Sequence, residues 1–589
     1  MLYPTLKEMN ISRQVVDTFR GYNHNLRISD GEFFDMKNMT SDVYPILSPR
    51  GRRGVYASPA APGGMIPKDK LCYVDGGDFV MGEERIAMGL NSQPKQLISM
   101  GAYVIIMPDK KYINTADTSD FGEIEGAFHA DDQLVSFSPC TSSGDGYSTA
   151  HISPSAPEGP EDQALWVDTS NEDHVLKRYC ATSEMWVSIS ATYIKISCPG
   201  IGKPFKQYDG VTISGIRHED LQNLNGTAVV WGCGDDYIII SGLIDNLYAQ
   251  EDRPVLGGEG GFGLSVERAM PNMDFIIESE NRLWGCRYGI ARNGETVNEI
   301  YASKLGDFRN WNCFMGISID SYVASCGTDG PFTGAITHMG HPLFFKENCV
   351  HKVYGNYPGN FQIQTTACRG VQKGSHRSLA IVHETLLYKS IGGICAYDGS
   401  LPAEVSYALG NEAYSDAVGG ALGGKYYVSM KDSAGKWHLF VYRSARGMWH
   451  REDNLRADCF CAYGGELYAV EHDSGRILTM CGSGEPGENR VSWMAQTGLI
   501  GTDMPGTKYV SGLLIRMALA IGTRVRFLVQ YDSIGGWEHL STITGTSLRS
   551  FSIPIRPRRC DHLRLRIEGE GDAKLYSITK TIEKGSDTP

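Results

Sequence analysis

The chain has 589 residues and a formal net charge of −13, with 55 Lys and Arg residues against 68 Asp and Glu residues. Hydrophobic residues make up 41 % and charged residues 21 %, which is enough to build sizeable cores and excludes a disordered chain. Glycine is abundant at 69 residues and long Ala, Glu, Lys and Leu stretches are missing, which argues against a helical bundle or coiled coil. The acidic balance also argues against a protein that grips nucleic acid, because phosphate binding depends on Lys and Arg.

Residues 1–60 are predicted to form an N-terminal arm. The first ten residues lack the basic start and the apolar stretch of a secretory signal. The most apolar run of the chain, Leu513–Ile521, contains Arg516 and is too short to span a bilayer. The 15 cysteines are odd in number and scattered, which is typical of free thiols and not of a disulfide framework. We therefore expect folding in a reducing cytoplasm, without a membrane segment.

Much of the sequence repeats one pattern, in which a turn residue, a short apolar strand, a polar turn and a second short strand follow one another. The last four copies begin at intervals of 44, 40 and 41 residues. A period near 40 with about four strands is typical of β-propeller blades, because radial stacking buries both faces of each sheet. We therefore predict an all-β fold with an about six-bladed β-propeller; unrelated hairpins in β-sandwiches are the alternative. The copies begin at Gly101, Asn281, Gly340, Glu384, Gly424 and Gly465.

The predicted propeller is interrupted once and ends before the C-terminus. Its first blade, 61–120, is separated from the remaining blades, 261–485, by residues 121–260, which contain closely spaced short strands and predict an inserted small β domain. A glycine-rich stretch, Gly257–Gly263, returns the chain to the propeller. Residues 486–589 contain strands that alternate apolar and polar residues, which predicts a C-terminal β-sandwich.

No motif in the sequence predicts a catalytic, metal or cofactor site. Gly419–Lys425 reads GGALGGK and fits a phosphate-binding loop by its letters, but Tyr426 follows and the chain continues as a strand instead of a helix. His338 and His341, with His351 nearby, lie on a strand-and-turn stretch that does not place them on one face. No G-x-S-x-G nucleophile motif is present. The sequence therefore predicts that the protein is not an enzyme and has no cofactor.

One basic cluster stands out against the acidic whole, in the predicted C-terminal domain. Residues on alternating strands cannot all share one face, and Arg556, Arg558 and Arg559 lie at a turn, so a solvated edge is one interpretation. The other is contact with an acidic neighbouring subunit, for which these three arginines are the candidate residues. The whole cluster consists of Arg549, Arg556, Arg558, Arg559, Arg564 and Arg566.

Three stretches carry a resemblance to a known group of proteins. Phe19–Asn38 reads FRGYNHNLRISDGEFFDMKN, Leu47–Gly54 reads LSPRGRRG, and Ile300–Trp311 reads IYASKLGDFRNW. The first two resemble the opening of tailed-bacteriophage virion proteins of the stabilisation or tail-nozzle type, and the third resembles a strand of their β-propeller. The resemblance covers the arm and the propeller, and more loosely the C-terminal domain. It includes no invariant catalytic signature.

The resemblance implies a structural protein of the virion, located at the tail or the portal vertex and assembled in the host cytoplasm. Such a subunit would form a ring with copies of itself, a hexamer in keeping with the tail symmetry of the group, and would contact portal, adaptor or other tail proteins. The ring would retain packaged DNA and form part of its exit channel, through which double-stranded DNA passes without sequence-specific binding. A net charge of −13 agrees with such a conduit, because Lys or Arg lining it would bind phosphate and slow passage.

The insertion at 121–260 departs from the simplest form of this group and leaves a second function open. The alternative is a receptor-binding or glycan-binding propeller of the phage tail tip, including a glycan-hydrolysing one. It predicts clustered tryptophans and paired carboxylates at one mouth of the propeller. Host adsorption would then depend on those tryptophans.

Overall fold

The computed structural model describes residues 11–131, 133–145, 150–170, 175–189, 193–242, 250–252, 263–291, 294–504 and 506–584. Within these ranges the chain forms β-strands joined by turns, and its helical elements are short 3-10 turns. The prediction of an all-β fold is therefore confirmed. The 3-10 turns are Glu219–Leu224, Pro358–Asn360, His376–Ser378, Tyr407–Leu409 and Ser444–Arg446.

Seven units of four antiparallel strands, called blades 1 to 7 in chain order, form the largest part of the molecule. In blades 1 to 6 the four strands of a unit follow one another along the chain. The strands of blades 1 to 3 are Pro62–Pro67, Leu71–Asp75, Asp78–Met81, Glu84–Ala87; Gln96–Met100, Tyr103–Met107, Lys111–Asn114, Phe121–Glu123; and Phe275–Ser279, Arg282–Ile290, Thr296–Ala302, Tyr322–Ser325. The strands of blades 4 to 6 are Gly334–His338, His341–Lys346, Cys349–Tyr354, Gln362–Ala367; Ala380–Val382, Thr385–Lys389, Ile394–Tyr397, Ala403–Glu404; and Tyr414–Leu422, Lys425–Asp432, Trp437–Arg443, Met448–Arg451.

Blade 7 takes its fourth strand from the N-terminal part of the chain. Val55 of this strand pairs with Leu478, and the short strand Glu485–Pro486 pairs with it as well. A side chain on Gly54 would collide with the carbonyl oxygen of Ser483, so this position requires glycine. The early and late parts of the body are thus held in one sheet. The strands of blade 7 are Ala457–Tyr463, Glu466–Glu471, Ile477–Thr479 and Gly54–Ala57.

Neighbouring blades share hydrophobic cores, and the series closes on itself. Val74 of blade 1 and Val104 of blade 2 belong to one buried cluster. Equivalent clusters lie between the following pairs of blades. Val470 of blade 7 and Leu71 of blade 1 belong to the cluster that completes the circle. Because each blade buries both faces against a neighbour, the arrangement is β-propeller-like.

The structure has seven of these units, whereas the sequence predicted about six. Residues 61–120, predicted to be one blade, contain blade 1 and nearly all of blade 2. In blades 2 to 7 the turn between the first and second strands contains a residue with positive φ, such as Gly101 or Gly340. The same turn of blade 1, Lys68–Lys70, contains neither a glycine nor a residue with positive φ. Blade 1 therefore lacks the turn signal on which the repeat was recognised.

Between blades 2 and 3 the chain forms an eight-stranded sheet with a core of its own, in the region of the predicted inserted domain, 121–260. The predicted glycine-rich return, Gly257–Gly263, lies outside the described residues except for Gly263. The strands of this sheet are Gly126–His129, Val135–Cys140, Tyr193–Ser197, Gly210–Ser214, Gly226–Gly234, Tyr237–Ser241, Gln250–Asp252 and Ser265–Arg268. Between its strands Val135–Cys140 and Tyr193–Ser197 the chain forms a separate, small four-stranded sheet. The strands of this small sheet are Ala150–Ser153, Leu165–Asp168, Val175–Cys180 and Met185–Ser188.

The described part of the C-terminal region, 486–589, contributes strands to one twelve-stranded sheet together with blade 6 and strands from the N-terminal segment. The long strand Lys508–Tyr531 pairs on one side with Glu538–Ile553, and on the other side with Ala573–Lys584 and then Leu563–Glu570. The region predicted as a separate sandwich is therefore continuous with the propeller-like body. The strands outside blade 6 are Ile11–Val16, Gly21–Tyr22, Glu32–Lys37, Ser492–Thr497, Lys508–Tyr531, Glu538–Ile553, Leu563–Glu570 and Ala573–Lys584.

The described part of the predicted arm, 1–60, forms strands that pair with strands of this body. Its first strand, Ile11–Val16, pairs with the C-terminal strand Ala573–Lys584. Its next two strands connect blade 6 with the C-terminal strands, and a later strand completes blade 7. Two further short strands pair with each other, Met39–Thr40 and Ser48–Pro49.

A buried charge network fixes the N-terminal segment beside blade 7. The Arg53 side chain is 5 % exposed and pairs with Glu452 and Asp453, each at 2.7 Å. Arg50 donates two hydrogen bonds of 2.8 Å to the carboxylate of Glu488. Burial alone would raise the pKa of Asp453, but the charge and hydrogen bonds of Arg53 outweigh it and lower that pKa. The network joins the N-terminal segment, the end of blade 6 and the chain that follows blade 7.

Candidate functional site

A cavity of about 1120 Å³ lies where the seven blades meet on the axis of the propeller-like body. Each blade contributes its first strand or the residues directly before it. Because the first strand of each blade is the innermost one, the side chains at these positions face a common space. One lining residue from each blade, in order, is Met65, Gln96, Ile276, Ala335, Leu379, Val418 and Phe460.

The cavity lies at the end of the body where the first strands begin. In an antiparallel meander, the second strand ends at the same end at which the first begins, so the connection between the second and third strands also reaches this end. Pro108 of blade 2 and Gly435 of blade 6 come from such connections and line the cavity, together with Trp437, which begins the third strand of blade 6. Loops from several blades therefore converge there, as they do at binding sites on rigid scaffolds.

Blades 5 to 7 place positive charge on the cavity. Arg377 lies in the turn before blade 5 and donates a 2.8 Å hydrogen bond to the backbone carbonyl of Asp458. Arg456 lies directly before blade 7, and its guanidinium is 5.0 Å from the centre of the Trp437 ring. In the part of the chain that the structure describes, neither guanidinium is within 4.0 Å of a carboxylate oxygen. Both therefore carry charge that no ion pair among the described residues neutralises.

Two carboxylates on the same side of the cavity already have partners within the protein. Asp416 lies 3.6 Å from the Nζ atom of Lys431. Asp458 Oδ1 lies 2.8 Å from His472 Nδ1. The pair of Asp416 with Lys431 is exposed and therefore weak, and the contact with His472 gives the Asp458 carboxylate a hydrogen-bond partner.

The side of blade 3 and the turn before blade 5 add hydrogen-bonding groups. Asp274 accepts a 2.8 Å hydrogen bond from the backbone N–H of Tyr288. Burial raises the pKa of Asp274, and this hydrogen bond offsets only part of the rise. His376 packs against Phe275 with ring centres 5.3 Å apart. His376 is exposed to the cavity, but partial desolvation by the surrounding protein, followed by the charge of Arg377, lowers the pKa of His376 to about 4, so its imidazole is neutral at neutral pH and both donates and accepts.

The positive charge near blades 1 and 2 is neutralised within the protein. The Nζ atom of Lys95 lies 2.5 Å from Asp109, and both side chains are buried. It also donates a 2.6 Å hydrogen bond to Asn91. The next residue, Gln96, donates a 2.5 Å hydrogen bond to the carbonyl of Ile276. The charge that is free to attract a ligand is therefore concentrated on the side of blades 5 to 7.

The predicted subunit-contact residues do not line this cavity. Arg556, Arg558 and Arg559 are exposed in a connection of the C-terminal region. Arg558 is 60 % exposed and pairs at 2.9 Å with Glu538, which is 58 % exposed. Their role in contact between subunits stays a prediction.

The other motifs of the sequence have structural positions. Gly419–Lys425 spans the turn between the first two strands of blade 6, so no helix N-terminus is available there for phosphate. His338 and His341 form a cross-strand pair of blade 4, and His351 is buried between two threonines. Within the described ranges no group of three or more His, Cys, Asp or Glu side chains could hold a metal ion. None of the helical turns described approaches the length and apolarity of a membrane-crossing helix.

Sequence reasoning did not identify Arg377, Arg456 or Asp274 as cavity residues. Arg456 and Asp274 each lie directly before the first strand of a blade, and Lys95 occupies the same position in blade 2. A charged residue at this point of the repeat faces the axis, because the first strand is the innermost. To use this signal, one must know the residue at which each first strand begins. The repeat pattern of the sequence located only the hairpin turns.

No protein-family model and no curated protein sequence matches the chain. The solved structures that resemble it include an exo-β-1,3-galactanase from Phanerochaete chrysosporium, at 12 % identity and a TM-score of 0.21 over 52 % of this chain and 94 % of that one. They also include an engineered GH43 glycoside hydrolase with endo-xylanase and exo-arabinofuranosidase activity, at 8 % identity and a TM-score of 0.20 over 53 % and 96 %. A third is PorZ, a bacterial surface component of the type-IX secretion system of Porphyromonas gingivalis, at 10 % identity and a TM-score of 0.25 over 89 % and 77 %.

These comparisons contradict the prediction that the chain is not an enzyme, since two of the three structures are glycoside hydrolases. That prediction depended on the absence of short catalytic motifs from the sequence. Glycosidase carboxylates need no short motif, because they act as a pair across the scissile bond and can come from separate strands. At TM-scores of 0.20 to 0.25 the likenesses also assign no activity to this chain.

Proposed function

We propose that the protein is a structural virion component of a tailed phage, a ring subunit of the head–tail or tail-nozzle apparatus. The ring retains packaged DNA and forms part of the channel through which the DNA leaves. The path of the N-terminal segment is the observation that supports this most. Phe19–Asn38 and Leu47–Gly54, which carry the resemblance to such proteins, are the stretches that join the propeller-like body to the C-terminal strands.

The continuity of the sheet suits a subunit that must transmit force between its contacts. A hydrogen-bonded sheet runs without a break from the C-terminal strand Ala573–Lys584 to blade 6. Phe33 and Trp449, one from the N-terminal segment and one from blade 6, are buried in the core that these strands share. Domains joined by flexible linkers move relative to one another, whereas a shared sheet and core hold these parts together.

The charge balance supports a DNA conduit. A net charge of −13 weakens phosphate binding, so DNA would pass without being held. In this proposal the conduit is the space at the centre of the ring, and not the cavity within each chain. A closed ring needs two different surfaces on each subunit that fit one another. Arg556, Arg558 and Arg559 supply one of these surfaces and meet an acidic surface of the next copy.

Light scattering of the purified protein and electron microscopy of purified virions test this proposal. We expect a particle of six 64.7-kDa chains and a ring on the tail axis, beside portal, adaptor or other tail proteins. Changing Arg556, Arg558 and Arg559 together to Glu should shift the ring toward single chains. Arg516→Glu, at an exposed position of the C-terminal sheet, is the matched control and should leave the ring intact. Single chains at every concentration, combined with absence from the tail axis of virions, would refute the proposal.

A further inference from the structure

We propose that the axial cavity binds an acidic saccharide and holds a sugar carboxylate between Arg377 and Arg456. The inference goes beyond the proposed ring and does not depend on it, because the cavity belongs to a single chain. A failure of ring assembly therefore leaves this inference in place, and a failure of saccharide binding leaves the ring in place.

Both arginines line the cavity beside the start of blade 7, and each keeps hydrogen-bond donors that no described residue uses. One N–H group of Arg377 donates a hydrogen bond to the backbone carbonyl of Asp458, the second residue of the first strand of blade 7. Arg456 directly precedes that strand, and the Trp437 ring beneath its guanidinium limits its movement. A guanidinium has five N–H donors in a rigid plane, which suits the two oxygens of a carboxylate.

The charge of these arginines is not neutralised within the described residues. Lys95 and Lys431, the other cations of the cavity, pair with Asp109 and Asp416. Uncompensated positive charge in a concave surface raises the local concentration of anions. A ligand that brings one carboxylate to this point gains charge-assisted hydrogen bonds without displacing an internal ion pair.

The remaining groups of the cavity favour a sugar with a single charge over an anion that carries many charges. Asp274, Asp416 and Asp458 place three carboxylates around the same space. They oppose a nucleic acid or polyphosphate, whose charge repeats at every unit. A saccharide offers one carboxylate among many hydroxyl groups, and hydroxyls donate and accept as the neutral imidazole of His376 does.

The size and the aromatic lining fit an oligosaccharide of a few sugars. Ligand pockets of about 300–1,000 Å³ hold drug-sized molecules, and the volume of about 1120 Å³ exceeds that range. Phe275, Trp437 and Phe460 line the cavity together with the polar groups. Apolar ring surface beside hydrogen-bonding groups matches a sugar, which has apolar C–H faces and polar edges.

Calorimetry with matched acidic and neutral saccharides tests the proposal on the full chain. The probes are 3′-sialyllactose and glucuronosyl-xylotriose, each with a single carboxylate, with lactose and xylotriose as their neutral counterparts. We expect at least one acidic probe to bind and its carboxyl methyl ester to bind at least tenfold more weakly. Affinity should also fall as NaCl is added, since the interaction is electrostatic.

Variants locate the site within the cavity. Arg377→Gln and Arg456→Gln should each weaken binding roughly tenfold to hundredfold, which is the usual effect of losing a charged hydrogen bond. Arg516→Gln, which removes an exposed arginine outside the cavity, is the matched control and should bind as the unchanged protein does. If Arg377→Gln does not fold, Arg377→Lys keeps the charge without the planar fork and should bind with intermediate affinity.

Four outcomes would overturn the inference. They are no binding of either acidic probe, equal binding of acidic and neutral probes, unchanged binding by both glutamine variants, and displacement of the saccharide by an equal concentration of inorganic phosphate. The last would show a site for simple anions and not for a sugar acid. Circular dichroism of each variant at the assay temperature confirms that the loss of binding is not a loss of fold.

Discussion

Replacement of Arg53 by Met removes the cation that pairs with Glu452 and Asp453, each at 2.7 Å. Among the described residues Glu452 then keeps one cation, Arg50 at 3.5 Å, and Asp453 keeps Arg50 at 3.4 Å and the N–H of Leu455. Removing one partner of a buried ion pair typically costs about 3–5 kcal/mol, because the remaining charge stays desolvated. Since Arg50 still compensates part of this charge, we expect a loss of about 3 kcal/mol, at the lower end of that range.

The loss should appear in blade 7, because Arg53 directly precedes its closing strand, Gly54–Ala57. A decrease of about 3 kcal/mol in the free energy of local opening makes backbone amides exchange about a hundredfold faster. Hydrogen–deuterium exchange of peptides that cover Gly54–Ala57 and Ile477–Thr479 measures this. The matched control is Arg369→Met, which breaks an exposed pair with Glu404 at 2.6 Å. Such surface pairs contribute about 0–1 kcal/mol, so exchange should change little.

Equal exchange in Arg53→Met and the unchanged protein would refute the reasoning, and so would an equal increase in Arg369→Met. A double variant, Arg53→Met with Glu452→Gln, separates charge from packing. Removing the carboxylate charge that Arg53→Met leaves behind should restore part of the protection. If protection is not restored at all, lost packing and not a desolvated charge explains the effect.

Two further predictions concern stability. Gly54→Ala should speed exchange in blade 7, because its side chain meets the Ser483 carbonyl, whereas Gly51→Ala, with no atom within 4 Å, should not; equal effects would contradict this. Burial lowers the pKa of His351 and of His450 to about 4. The unfolded chain binds these protons near pH 6.5, so stability should fall as pH drops from about 6.5 to about 4, by up to about 3 kcal/mol per histidine. Denaturant titrations at pH 7 and 4.5 measure this fall, and His351→Gln with His450→Gln should flatten it; an unchanged pH dependence would contradict it.

The repeat could be predicted from the sequence because one turn recurs in the same place. Asn281, Gly340, Gly424 and Gly465 all lie between the first and second strands of their blades and all have positive φ. Residues that tolerate this conformation are few, so the turn leaves a mark in the sequence. The corresponding turn of blade 1, Lys68–Lys70, needs no such residue, and its blade was therefore merged with blade 2.

The closing strand and the cavity could not be predicted in the same way, because both depend on residues far apart in the chain. Gly54 and Thr479, which a hydrogen bond joins, are 425 residues apart. Arg377 and Arg456 precede different blades, and only the fold brings both to one cavity. A local pattern specifies which residues form a strand, whereas the partner of that strand is decided by packing across the whole molecule.

During synthesis, the closing strand Gly54–Ala57 is made long before the strand with which it pairs. Gly54 leaves the ribosome 425 residues before Thr479, which at about 5–20 residues per second is a delay of about 20–85 s. During this time the closing strand Gly54–Ala57 has no partner strand, and blades 1 to 6 are made before the circle can close. Ile11–Val16 waits longer still, until Ala573–Lys584 emerges. Two strands that are made early, Gly54–Ala57 and Ile11–Val16, thus wait for partners that are made late, and no fragment that ends before Ile477–Thr479 can close the propeller-like body.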